Sequence, residues 1–382
     1  LVEREVGERL GLRLLISSTD EETGTDDEVD DAEDTSSFVS LSAFRRLGID
    51  LRGNLAVGET STLTLGGEFE EQDIRDFNES VSSFGTFGGR SANERSNLAG
   101  YAHWTGAFEG LDANAGIRIE DNEFFGTFTT WQLGASAPVG DALRLRGSIG
   151  RGIKEPTFFE SFATGFARGN PDLDPEQSLS WEVGADYEVG GVTLGATYFD
   201  QAIEDLIQFT STPPNPGDPS YFNVAEAAIR GLELDAGLRV GPIDLGGSWT
   251  WLDSEVVDAG FQSGESATFV EGQPLIRRPE STLRLNATTQ ATSTLGVSAA
   301  LERVGERDDR DFATFPATPV TLDAYTLVDA AVTWTPFRSG LGGDVQLIGR
   351  VENLLDQDFV GAAGFVAPGR VVTLEFRAGF GD

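Results

Sequence analysis

Tight turns and long polar loops alternate along this chain from end to end, and few architectures tolerate that order. Tight turns fall at 58–60, 109–110, 140–141, 190–191, 241–242 and 291–293, with a slightly longer one at 336–342. Between them lie gaps at 18–37, 74–94, 122–126, 150–178, 201–222, 253–280, 304–323 and 353–369, all but one of them long. A sheet whose turns close on one side and whose loops open on the other produces this sequence of gaps, as membrane barrels do. A propeller or sandwich has no reason to keep it over so many strands. No internal repeat of fixed period is present to suggest a solenoid.

The segments between the gaps read as about sixteen strands: 10–17, 38–57, 61–73, 95–108, 111–121, 127–139, 142–149, 179–189, 192–200, 223–240, 243–252, 281–290, 294–303, 324–335, 343–352 and 370–380. Strict alternation marks the clearest of them. Leu179, Trp181, Val183, Ala185 and Tyr187 oppose Ser180, Glu182, Gly184, Asp186 and Glu188, and Gly190-Gly191 then reverses the chain. One face is apolar enough for lipid and the other is polar. The predicted fold class is therefore all-β, an antiparallel transmembrane β-barrel occupying 1–382 as one domain.

Composition narrows the function classes. The formal charge is −36, from 63 acidic and 27 basic residues, and only one of the basic residues is lysine. Such a charge argues against nucleic acid, whose phosphates need a positive face. Cysteine is absent, which removes disulfides and thiolate chemistry. Methionine is absent too, so the chain is expected to be a processed product or a fragment. The first residues lack a basic start and an apolar run, so they are not a signal peptide. No stretch approaches the ~20 apolar residues of a membrane helix, which excludes helical spans and leaves barrels open.

Residues that could carry chemistry are few. His103 is the single histidine and stands beside Trp104 on a strand; it is expected to be a wall residue near an aromatic belt. No G-x-S-x-G, P-loop or Ser-His-Asp pattern occurs, and no enzymatic activity is expected. The gap 20–34 holds ten carboxylates, among them Asp26, Asp27, Glu28, Asp30 and Asp31. A calcium loop and a merely solvated loop are both open readings there, since hard cations take several carboxylate oxygens. If the aliphatic side chains face lipid, Arg144, Arg146, Glu182, Asp186, Glu233, Arg284, Arg350 and Arg377 face the lumen. Facing the other way would cost roughly 2–4 kcal/mol for each Arg near the bilayer midplane.

The run from Gly152 to Glu233 is the most distinctive in the chain. It holds Gly152-Ile153-Lys154-Glu155-Pro156, then Gly169-Asn170-Pro171-Asp172-Leu173-Asp174-Pro175-Glu176, then Ser180-Trp181-Glu182-Val183-Gly184. Thr197-Tyr198-Phe199, Ile203, Leu206-Ile207, Asn223 and Gly231-Leu232-Glu233 follow. Further on stand Glu271-Gly272-Gln273-Pro274-Leu275, Arg278-Pro279, Tyr325-Thr326-Leu327-Val328-Asp329, Val351-Glu352-Asn353-Leu354-Leu355-Asp356 and Pro368-Gly369-Arg370. In this order they resemble the barrel motifs of the TonB-dependent receptors of the Gram-negative outer membrane. The last strand, with Phe376 and Phe380 on one face, resembles the signal read by the outer-membrane assembly machinery, although Gly381-Asp382 follow it.

That resemblance implies a receptor for a bulky, scarce nutrient such as a ferric siderophore or a cobalamin-like chelate. It implies outer-membrane lipid and lipopolysaccharide as surroundings, TonB as a partner through a plug, a small-molecule metal chelate as ligand, and a monomer. Such receptors place a plug ahead of a 22-stranded barrel. The chain is therefore expected to be the C-terminal part of a barrel, lacking the plug and about six early strands. An open sheet or a distorted closure should follow, because two edges lose their partners. Phe158, Phe159, Phe162, Phe166, Arg168, Asn170, Tyr221 and Phe222 are the candidate ligand-contacting residues, with packing of the loops on one another as the other reading of the aromatics. The loops also carry Asp172, Asp174, Glu204, Asp218, Glu255 and Glu271 against few cations, which disfavours an anionic catecholate relative to a neutral or cobalamin-like ligand. A passive sixteen-stranded porin is the alternative function, and a soluble all-β adhesin or enzyme the next.

Overall fold

A computed structural model describes residues 1–29, 36–83, 85–165, 167–210, 213–215, 217–260, 267, 269–311, 317–338 and 344–379. The strands are β1 Val2–Val6, β2 Leu10–Asp27, β3 Ser37–Val57, β4 Ser61–Ser82, β5 Gly85–Phe108, β6 Leu111–Asn122, β7 Gly126–Val139 and β8 Leu143–Lys154. A one-turn helix, α1 (Phe158–Phe162), precedes β9 Glu176–Val189, β10 Val192–Phe209, β11 Tyr221–Val240, β12 Ile243–Asp258, β13 Ser281–Thr292 and β14 Leu295–Val304. A small hairpin, β15 Arg307–Asp311 and β16 Thr318–Leu322, comes before β17 Tyr325–Arg338, β18 Asp344–Glu352 and β19 Val371–Ala378.

Seventeen of these strands form one antiparallel meander, the wall of a β-barrel. Each strand pairs with its neighbour in sequence, from β1 with β2 through β13 with β14, then β14 with β17, β17 with β18 and β18 with β19. The continuous ladders satisfy the backbone groups that hydrocarbon would otherwise leave unpaired. Among the described residues no ladder joins β19 to β1, so the wall is open, as expected from the sequence.

All sixteen expected strands are present, with three corrections. Val2–Val6 adds a strand at the start, and 304–323 contains the β15–β16 hairpin rather than irregular loop. Residues 18–27 and most of the gap 74–94 are strand: Asp20 pairs with Arg45, Asp27 with Phe38, Asp73 with Glu94 and Glu79 with Gly88. At 24 residues β5 would run to about 80 Å, whereas a tilted strand crosses a bilayer in ~9–11 residues. The β2–β5 hairpins therefore project far beyond the apolar band. Lipid lies against neither face there, so the apolar–polar alternation fades although the ladder continues.

The apolar face carries the exposed side chains Leu133, Leu145, Val183, Leu194, Leu234 and Leu285, the surface a lipid phase would cover. Gly58, Gly110, Gly140, Gly190 and Gly241 all hold positive φ in the tight turns, which glycine adopts without a Cβ penalty.

Candidate functional site

The opposite face is polar across the whole sheet, and the register shows that its members belong together. Arg144 lies opposite Asp186, Gly195 opposite both Asp186 and Asp235, and Thr197 opposite Glu233. Ser248 lies opposite Asp235 and Arg284, and Arg284 opposite Glu302. Arg350 is opposite Thr373, two residues from Glu375 and four from Arg377. All eight residues expected in the lumen, including Arg146 and Glu182, thus share one face. Arg146 pairs with Asp186 at 3.1 Å and Glu182 at 3.7 Å, Arg144 with Asp112 at 2.8 Å, and Arg284 with Glu302 at 2.7 Å. Arg350 lies 3.8 Å from Glu352, and Arg377 binds Glu375. His103 belongs to this polar face too, opposite Thr64 and Gly116.

The loop between β8 and β9 is built from its motif residues. Gly169 donates to the Ala163 carbonyl at 2.9 Å, and a Cβ there would stand 2.3 Å from the Phe162 amide nitrogen. Only glycine allows that close approach. Asn170 donates its side-chain amide to the Tyr221 carbonyl at 2.8 Å and accepts from the Asp172 amide at 3.0 Å. Asn223 donates to the carbonyls of Asp174 and Asp205, both at 2.8 Å. Glu176 accepts from the Ile207 amide and pairs with Lys154 at 3.1 Å. Leu173 is buried among them. Asn170 and Asn223 thus staple the β8–β9 loop to the start of β11, and Glu176 ties the start of β9 to β10 and β8.

At the base of this loop the buried Arg95 reaches out from β5. It donates to Gln72 at 2.7 Å and to the Pro156 carbonyl at 3.0 Å, and pairs with Glu155 at 3.5 Å. Its guanidinium lies over the Phe158 ring at 4.6 Å. Asn122 donates to Glu155 at 2.9 Å. Burial pushes the Glu155 carboxyl above its ordinary range, against the pull of Arg95 and Asn122.

The expected ligand contacts therefore separate. Phe158 is buried and packs near Phe162, which meets Phe124 edge-on at 5.3 Å. Phe159 is 53% exposed and meets Tyr221 edge-on at 6.1 Å; Tyr221 in turn meets Phe209 at 5.4 Å. Burial, and then Glu160, push the Tyr221 hydroxyl up to about 12. Asn170 and the backbone of Arg168 serve the loop, Arg168 accepting from the Ser220 amide at 2.8 Å. Phe222 is half-buried at the start of β11, and Phe166 lies outside the described residues.

A second group of loops is joined through the fully buried Asp309, which composition gave no means of finding. Its carboxylate accepts from Arg277 at 2.8 Å, from the Arg310 amide at 2.8 Å and from the Ala363 amide at 2.8 Å. Arg307 donates to the carbonyls of Val360 and Gly361. The β12–β13 loop, the small hairpin and the β18–β19 loop thus meet at one carboxylate. Asn353 closes the base of the last of these at φ 49°, its side chain accepting from the Gln357 amide and donating to the Gln357 carbonyl, each at 2.9 Å.

In the acidic stretch Asp26 and Asp27 are consecutive on β2 and point to opposite faces, and Glu28 follows the strand end. Asp30 and Asp31 lie outside the described residues. Among the described residues no cluster of three His, Cys, Asp or Glu side chains is placed to hold a metal.

Comparison with known proteins places this geometry. A family model described as "TonB dependent receptor-like, beta-barrel" matches residues 10–354. The vitamin B12 transporter BtuB of Photobacterium profundum is 30% identical over 304 residues, covering 79% of this chain and 45% of that protein. BtuB of Vibrio vulnificus is 29% identical over 300 residues, covering 78% of this chain. The chain spans about half the length of the curated relatives it matches, 45% and 43% for these two. Among solved structures, the ferric enterobactin receptor PfeA of Pseudomonas aeruginosa aligns with a TM-score of 0.72 at 18% identity, over 98% of this chain and 60% of that one. The ferric yersiniabactin receptor FyuA of Yersinia pestis gives 0.72 at 16%, over 98% and 58%.

Proposed function

Because the chain belongs to the TonB-dependent receptor family, as part of its β-barrel, we propose that it forms the wall and outer loops of an outer-membrane uptake receptor. The receptor sits in outer-membrane lipid and lipopolysaccharide as a monomer and binds a bulky chelate at its outer loops. It takes energy from TonB through a plug and performs no bond-making chemistry. One observation carries this reading: stapled outer loops crown a wall that is polar on one whole face and apolar on the other.

The exposed Phe159 and the half-buried Tyr221 it meets, with Phe222 next in the chain and Arg168 tied through its carbonyl to Ser220, form the ligand-contacting surface, while Phe158 and Phe162 support it. The polar face, with Arg146, Glu182, Asp186 and Glu233, receives the plug. The ligand is neutral or cobalamin-like, since the loops are acidic and would slow the encounter with an anionic catecholate. The similarity to B12 transporters points the same way. Calcium at the acidic strand end, held by Glu28 and only one of the oppositely facing Asp26 and Asp27, is a further proposal for which titration is the arbiter.

The test is equilibrium binding by the whole gene product in detergent at low ionic strength, with and without calcium. Cyanocobalamin should bind and an anionic ferric catecholate should not. Tight, calcium-independent binding of the catecholate would overturn the ligand class. A stable, uniform pore conductance in planar bilayers would replace the receptor with a passive porin.

A further inference from the structure

We infer that Arg95 is a positioning residue, which sets the exposed Phe159 against the half-buried Tyr221 from the barrel wall. The inference rests on the reading of that pair as ligand-contacting. Arg95 stands on the polar face of β5, opposite Gln72 on β4. Its fork is used from three directions. Nε and one terminal nitrogen donate to Gln72 at 3.2 and 2.7 Å, the other terminal nitrogen donates to the Pro156 carbonyl at 3.0 Å, and Glu155 lies 3.5 Å away. The Phe158 and Phe125 rings lie 4.6 and 5.7 Å from the guanidinium carbon.

These partners are themselves held. Glu155 accepts from Asn122 at 2.9 Å and from Asn97 at 3.3 Å, and Gln72 donates to Glu70, which accepts from Arg46 at 2.6 Å. Strands β3 to β6 thereby converge on the dipeptide Glu155-Pro156. Helix α1 starts directly after it, with Thr157 as its cap: the Thr157 amide donates to Glu160 at 2.7 Å and the Glu160 amide to Thr157 at 3.1 Å. Successive helical residues point about 100° apart. Burying Phe158 against Arg95 therefore turns Phe159 outward, where it is 53% exposed and meets Tyr221. A lysine at 95 keeps the charge but cannot hold Gln72, the Pro156 carbonyl and two rings with one ammonium.

These 382 residues contain no cysteine, so labels introduced here meet no competing thiol within them, and any cysteine elsewhere in the whole gene product is first changed to serine. Spin labels at Thr164→Cys in the loop and Glu109→Cys in a tight turn report the place of the loop relative to the wall. The native residue should give one narrow distance distribution; Arg95→Met should broaden it, and Arg95→Lys should restore it only in part. Cyanocobalamin affinity should fall about tenfold in both Arg95→Met and Phe159→Ala. The double variant should lose no more than either alone, because the first residue acts through the second. A narrow distribution in Arg95→Met, or additive losses, overturns the inference. Should Arg95→Met fail to fold, Glu155→Gln tests the same base, with the same broadening expected and an unchanged distribution counting against the role. Absence of cyanocobalamin binding by the native protein would sink the ligand reading alone, and the distance measurement would still decide the role of Arg95.

Discussion

Arg277 donates its Nε hydrogen to Oδ1 of Asp309 at 2.8 Å, although the two residues belong to different long loops. The second oxygen of Asp309 takes the Ala363 amide, so a third loop depends on the same group. Burial alone would raise this carboxyl, but the Ala363 and Arg310 amides and the Arg277 guanidinium outweigh it. They hold Asp309 below the usual carboxylate range. A carboxyl depressed in the folded state contributes stability that is fully present above its unfolded value, near 3.9, and lost as pH falls through the folded value. Protection of the Ala363 amide, once the slower intrinsic exchange of all amides in acid is corrected for, should therefore fall only in acid. Asp309→Asn should expose the same amide at neutral pH, by about 1.5–3 kcal/mol in opening free energy, and should abolish the acid step. Equal exchange in the variant and the native protein at neutral pH would count against the hub.

Gly169→Ala should loosen the β8–β9 loop more than its size suggests. The new Cβ would meet the amide nitrogens of Phe162 and Ala163 at 2.3 and 2.5 Å, and backbone cannot rotate aside as a side chain does. Overpacking of this kind costs typically about 1–3 kcal/mol. Protease cleavage between Ala163 and Pro175 should rise while the melting of the wall barely changes. Unchanged cleavage would mean that the close approach relaxes without consequence.

The wall was legible in the sequence because lipid and lumen impose opposite chemistry on alternate residues. Leu179 to Val189 declares both faces within a single strand. The signal fails where that opposition ends. Asp20 to Asp27 alternates nothing apolar, yet it pairs residue by residue with β3, since backbone ladders persist in water. Val2–Val6 carries no strand signal for the same reason, with two glutamates and an arginine in five residues. Motif residues such as Asn170 and Asn223 were legible as important but not as staples, because their partners are carbonyls, which sequence does not distinguish. Arg95 and Glu155 lie 60 positions apart and meet only through the fold. The available hint was an arginine at polar parity near the loop end of a strand. Asp309 offered none, as one acid among 63.

Glu233 and Leu234 are consecutive, and the register gives them opposite faces: Glu233 opposite Thr197 and Thr250, Leu234 opposite Ala196 and Trp249. If the apolar face meets lipid, Leu234→Arg should cost roughly 2–4 kcal/mol, the toll of a guanidinium near the midplane. Glu233→Arg should cost much less, because the lumen side solvates it and Glu182 and Asp186 share its face. Urea-induced unfolding of the whole gene product in vesicles measures both. Water and lipid cannot both lie on one side of a strand, so the ranking depends on the face assignment alone. A larger loss at Glu233 than at Leu234 would reverse that assignment across the sheet, because continuous pairing from β8 to β14 ties the strands of this region to one parity.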